Sequence, residues 1–163
     1  MLFRSQAAAK SLSIGVGELP DAVVRLQGDL KDRQRQIKAL QEQVTATLAD
    51  ELRATAMTGA AGARVVLAHQ AGWDAAAIKS LAQAVVSSPG LVVVLTGEGS
   101  PIPVVVARSS DVGGVDAGAW IKEATSILGG RGGGRPEMAQ GGVTASAADV
   151  RALAERTLGT VTG

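Results

Sequence analysis

Apolar residues in the first third of the chain recur at helical spacing. Val23, Leu26, Leu30, Ile37, Leu40 and Val44 follow alternating steps of three and four, with Arg33 interrupting one apolar position. That is the a/d stripe of a coiled-coil-like helix. Pro20 suits a first helical turn, where its missing N–H is no loss, and Asp21 suits the positive helix end. One helix over 18–56 is therefore predicted, roughly 55–60 Å long. Beyond Val44 the step becomes four and four through Leu48 and Leu52, a stutter that loosens a supercoil. The stripe is too narrow for a core helix and predicts a partner helix, from a second copy or from an upstream segment. Arg25, Lys31, Arg35, Lys38 and Glu42 on the other faces read as a solvated surface. The sharper alternative, a phosphate-tracking stripe, is weakened by Asp29, Asp32 and Glu42.

After a linker at 57–63 the pattern changes. Arg64 to Gln70 reads as a short strand, with His69 a satisfied strand residue and not a ligand. Asp74 is the N-cap of a helix to about Ser87, with Ala77, Ile78, Leu81 and Val85 on one side and Trp73 as a staple before it. Leu91 to Leu95 is an unbroken apolar run, as in a fully buried strand. Ile102 to Ala107 is the next strand. The intervening Thr96-Gly-Glu-Gly-Ser-Pro101 predicts a hairpin: no third glycine follows at dinucleotide spacing, and a strand, not a helix, comes next. Asp116 to Leu128 is a helix with Ala119, Trp120, Ala124 and Ile127 inward, stopped by Gly129-Gly130. A last helix from about Ser146 to Leu158 turns Val150, Leu153 and Leu158 inward. The predicted class is α/β: a long N-terminal helix, then a small globular domain with a mixed sheet flanked by helices.

Composition narrows the chemistry. The 163 residues carry a net charge of +1, no cysteine and one histidine. Near-balanced charge makes any nucleic-acid affinity a matter of a local patch. Without cysteine there is no disulfide frame, thiolate nucleophile or Cys-based metal site, and His69 alone makes no zinc site. No apolar run approaches membrane-spanning length, so no membrane partner is expected. No signal peptide is visible, and the default compartment is the cytoplasm. No nucleophile–base–acid constellation or P-loop is present, so no catalytic residue, metal or cofactor is assigned to this chain. Residues 1–17 read as a leader or the remnant of an upstream domain. Leu2-Phe3-Arg4-Ser5 is what a common sequencing-adapter end would encode, which suggests a truncated gene fragment.

The most unusual stretch is LGGRGGGRPEMAQGG, from Leu128 to Gly142, with seven glycines and two arginines. Glycine lets backbone N–H groups approach a ligand closely. Ordering such a run costs roughly 1–2 kcal/mol per residue, which packing or a bound partner must offset. Pro136 biases Arg135 toward extended backbone. The expectation is a glycine loop hanging from a helix end, followed by an extended piece, Glu137 to Gln140. Two readings stand. In one, bare backbone beside a guanidinium docks phosphates or a flat base pair of structured RNA. In the other, the glycines only permit close packing and Arg135 sits in a structural ion pair.

This string resembles the signature of the DHH-associated nucleic-acid-binding domain, in the version with Arg-Pro-acid-Met-Ala-Gln typical of the C-terminal domain of alanyl-tRNA synthetase. Arg131 stands for the commoner lysine and Glu137 for the commoner aspartate, both keeping charge. GELPDAVVRLQGDLKDRQRQIKAL, from Gly17 to Leu40, is similar to the segment joining that family's editing and C-terminal domains. The resemblance implies a helical dimerisation or linker segment at 18–56 and a globular nucleic-acid-binding domain at 64–163. It implies docking on the outer corner of tRNA, tRNA(Ala) by family, in aid of aminoacylation and editing by upstream domains. Carried over by position, Arg131, Gly132, Gly133, Gly134 and Arg135 are the nucleic-acid-binding candidates, and Val23, Leu26, Leu30, Ile37, Leu40 and Val44 the dimerisation candidates. The parent ligase would use ATP, Mg and Zn through upstream domains whose motifs are not in this chain. The alternatives are the substrate-binding domain of a DHH-family phosphoesterase and a purely structural dimerisation module.

Overall fold

The computed structural model describes residues 9–10, 15–59 and 62–159. Most of the expected leader lies outside them. Two compact units divide the chain, with the boundary after Gln43.

A short 3-10 turn, Val16–Glu18, leads into helix α1, Leu19–Ala54. Five of the six stripe residues belong to the first unit, and all of them (Val23, Leu26, Leu30, Ile37 and Leu40) are exposed. Around them the helix carries the short-range pairs Arg35–Asp32 and Lys38–Glu42, as a solvated helix surface does.

The second unit, from Val44 on, is built on one six-stranded sheet. Its elements in chain order are β1 (Met57–Thr58), β2 (Arg64–His69), α2 (Ala75–Val86), β3 (Leu91–Thr96), β4 (Ile102–Arg108), α3 (Ala117–Leu128), β5 (Gly130–Arg135), β6 (Met138–Val143) and α4 (Ala147–Leu158). The strand order is β1-β2-β3-β4-β6-β5. Strands β2 and β3 run parallel, joined through α2, and every other pairing is antiparallel. This is the expected α/β architecture with a mixed sheet flanked by helices.

Alternation along the strands sorts the core into two layers. Val65, Leu67, Val92, Val94, Val104 and Val106 face α3 and α4, packing with Trp120, Ile121, Val150 and Leu153. Val66, Val93, Leu95, Val105 and Ala107 face the opposite way, onto Ile78, Leu81 and Val85 of α2. Ala49 and Leu52 of α1 join that second layer, with Leu48 packed against it. The four-residue step beyond Val44 thus marks where α1 turns its apolar residues onto a core. Arg53 fixes this end: its Nε donates to Val85 O at 3.1 Å and its Nη2 to Ser87 Oγ at 3.0 Å.

Several local expectations hold. Asp74 and Asp116 accept from Ala77 N–H and Ala119 N–H as N-caps, and Ser146 forms a capping box with Asp149. His69 Nδ1 lies 3.0 Å from Thr96 Oγ1, a satisfied strand residue. Three expectations are corrected. The stretch read as a linker contains β1, which pairs with Val65 and Arg64 of β2. The inward face of α3 includes Ile121 and Thr125, while Ala119 and Ile127 are exposed. The glycine run is a strand, not a loop: β5 starts one residue after Gly129, and every residue from Gly130 to Arg135 is paired with β6.

Candidate nucleic-acid interface

Gly129 ends α3 with φ 71°, a backbone that L side chains rarely adopt, and reverses the chain toward the sheet. Thr144 locks the reversal: its N–H donates to Gly129 O at 3.0 Å and its hydroxyl to Leu128 O at 3.1 Å. Strand β5 then runs along the sheet edge and returns through the two-residue turn Pro136-Glu137. Arg108 fastens that turn. Its Nε donates to Pro136 O at 3.1 Å, its Nη1 to Val112 O at 2.7 Å, and it pairs with Glu137 at 3.4 Å. Ala117 N–H, at the start of α3, also donates to Pro136 O, at 3.0 Å.

Strand periodicity divides the glycine run by parity. A Cβ on Gly132 would come within 2.8 Å of Gly141 Cα and 3.1 Å of Ile121 Cγ1. On Gly134 it would come within 2.4 Å of Ala139 Cα, and the Gly134 carbonyl oxygen lies 2.9 Å from where a Gly118 Cβ would be. These even positions are glycine because α3 packs directly on the hairpin, with fully buried Ile121 over the Gly132–Gly141 pair. On Gly133 a Cβ would meet nothing within 4 Å. It shares its strand face with Arg131 and Arg135, and its register partner is Gln140.

That odd face is open. Helix α2 packs on β3 and β4, leaving the β6–β5 hairpin as a bare rim beyond it. Arg131, Arg135 and Gln140 are exposed. Neither guanidinium has a hydrogen-bond or ion-pair partner among the described residues; Glu137, the adjacent acid, is taken by Arg108. A shallow cleft of about 630 Å³ lies between α2 and the hairpin, lined by Lys79, Gln83, Arg135 and Gln140 among others. The edge adds donors. Thr144 bonds Gly129, so the bonded pairs are the odd ones, and the backbone groups of Gly132 and Gly134 are directed to the free edge of the sheet. Such an array of unshared N–H groups and guanidinium forks can hold phosphate oxygens. Among the described residues no three His, Asp or Glu side chains are grouped to hold a metal ion.

The five sequence-predicted site residues are consecutive on one strand, yet only Arg131, Gly133 and Arg135 share the open face. The packing reading explains Gly132 and Gly134, but the ion pair it assigned to Arg135 is not formed. Sequence reasoning missed Lys79 and Gln83, which an i, i+4 spacing on the polar side of α2 could have flagged, and Arg108, whose bond to Pro136 O joins segments far apart in the chain. Val44, the stripe residue that belongs to the second unit, does not line this cleft.

Comparison with known proteins gives a family match: the DHHA1 domain, over residues 59–160. A chloroplastic/mitochondrial alanine–tRNA ligase of Micromonas pusilla is 34% identical over 152 residues, covering 88% of this chain and 17% of that protein. An alanine–tRNA ligase of a Nostoc species is 33% identical over 130 residues, covering 77% of this chain and 15% of that protein. The chain thus spans less than a fifth of these relatives' length. Among solved structures, the C-Ala domain from Aquifex aeolicus alanyl-tRNA synthetase matches with a TM-score of 0.49 at 24% identity, covering 55% of this chain and 87% of that one.

Proposed function

We propose, from the premise that this chain belongs to the DHHA1 domain family, that its globular part docks on a folded tRNA. The chain would be the tRNA-binding C-terminal part of an alanyl-tRNA synthetase acting in the cytoplasm. It would grip the outer corner of tRNA(Ala) while upstream domains, with their ATP, Mg and Zn, carry out aminoacylation and editing. One observation carries the reading: two exposed guanidiniums without a partner among the described residues flank a half-buried, side-chain-free Gly133 on an open sheet face.

The geometry suits the task. Arg131 and Arg135 are four residues apart on one strand face, about 13 Å, a span that reaches two separated phosphates. Between them Gly133 offers a surface on which a flat base pair, unstacked on one side at the tRNA corner, can rest without meeting a side chain. The two arginine contacts to phosphate make binding by the isolated chain weak and contribute roughly −1.5 to −2 to its salt slope. The test is a filter-binding comparison of a tRNA(Ala) transcript with one whose D-loop–T-loop contact is broken by substitution. The docking reading expects tighter binding of the intact corner; equal affinity for both transcripts would sink it.

A second role is supported by the exposed stripe from Val23 to Val44 on α1. An apolar seam of this length in water calls for a partner helix, from a second copy or from upstream domains of the same synthetase. A module with only this role would bind no tRNA, which separates the two readings.

A further inference from the structure

The cleft between α2 and the β5–β6 hairpin carries more than the glycine strand does alone. Lys79, Gln83 and Val86 stand at successive turns of α2 and line one wall. Arg135 and Gln140 line the other, with Gly133 between them. The α2 wall is fixed at both ends, by the Asp74 cap and by the Arg53 bonds to Val85 and Ser87.

Charge in the cleft is one-sided. Its one acid, Glu137, is paired with Arg108, whose other donors are spent on the carbonyls of Pro136 and Val112. Lys79 and Arg135 remain, both exposed and both without an ion-pair partner among the described residues. Gln83 and Gln140 supply amides that both donate and accept. A chain of carboxylates would call only for donors. A sugar–phosphate strand of RNA alternates acceptor phosphates with 2′-hydroxyls that donate as well as accept, and this mixed set matches it.

We propose that this cleft seats a sugar–phosphate strand of the docked RNA, with Lys79 on a phosphate and the Gln83 and Gln140 amides on ribose hydroxyls. The proposal rests on the RNA-docking reading and adds α2 as a second binding wall. It predicts that Lys79→Ala, tested in the full chain against a tRNA(Ala) transcript, binds about fivefold more weakly, with a salt slope shallower by about one. Lys79→Arg should stay near the parent, and melting should be unchanged in both because Lys79 is exposed. Arg135→Ala, run in parallel, separates the two ideas. If Arg135→Ala loses affinity and Lys79→Ala does not, the second wall is overturned and the docking reading stands. If neither variant loses affinity, both fall. Poly-glutamate is the control for an acidic peptide groove: if Lys79→Ala weakens its binding as much as that of tRNA, the RNA assignment is overturned.

Discussion

A methyl group added at Gly134 should cost far more than one added at Gly133, although the residues are neighbours on one exposed strand. At Gly134 the new carbon would lie 2.4 Å from Ala139 Cα, 2.5 Å from Met138 O and 2.7 Å from Ala139 Cβ. Two of these atoms are backbone of β6, which is held between β4 and β5, so no rotamer change relieves the clash. Strand β5 must move off its partner. Overpacking of this kind costs about 1–3 kcal/mol, and a backbone clash belongs at the upper end. For a unit of this size that lowers the melting temperature by about 10 °C. At Gly133 nothing lies within 4 Å, and its φ is outside the positive range. Gly133→Ala should therefore stabilise by about 0.4–1 kcal/mol, by restricting the unfolded chain. Chemical denaturation of both variants, with the slope m checked against the parent, measures the difference. If both variants unfold at the same denaturant concentration, the division of the glycine run by parity is wrong.

Three further outcomes follow from the same structure. Arg108→Ala should destabilise by about 2–3 kcal/mol, because the carbonyls of Pro136 and Val112 lose a charged donor; an undiminished thermal midpoint would show that the β5–β6 turn needs no fastening. The Ser146 hydrogen bonds hold the Asp149 carboxyl below its ordinary value of 3.8, so that contribution is present above this value and is lost as pH falls through the lower folded-state value. Ser146→Ala should then cost about 1 kcal/mol near neutral pH, with a smaller gap to the parent at pH 2; a gap that widens in acid contradicts the capping box. Leu30→Lys with Ile37→Lys should leave tRNA affinity and melting of the globular unit unchanged while shifting any self-association toward monomer in sedimentation velocity; an unchanged sedimentation profile from an associating parent removes the stripe as the seam.

Most of the sheet and its helices were legible because local pattern and tertiary role agree. The apolar run Leu91 to Leu95 is buried along its whole length, and Asp74, Asp116 and Ser146 cap helices where their spacing places them. The glycine run was not legible as a strand because glycine has poor strand propensity. Its conformation is imposed by pairing with β6 and by Ile121 pressing on Gly132 and Gly141, contacts that local sequence does not encode. The inward face of α3 leaves out Ala119 and Ile127, which share its apolar spacing yet are exposed. Its neighbour across the helix interface is a glycine hairpin that accepts Ile121 and leaves Ile127 in solvent. Arg53 and Arg108 tie carbonyls of distant segments, Val85 and Pro136, and such bonds leave no periodic trace. The candidate site was legible by composition but not by orientation: only pairing register shows that Arg131, Gly133 and Arg135 share a face.

Gly133→Val tests the docking surface most directly. It keeps both guanidiniums, favours the strand and places its Cβ where nothing lies within 4 Å. Titrated against the intact tRNA(Ala) transcript at fixed salt, it should fold as well as the parent yet bind at least tenfold more weakly, about 1.4 kcal/mol. Parental affinity from a correctly folded Gly133→Val chain would contradict the account, because RNA would then be held without any need for bare backbone between the two arginines.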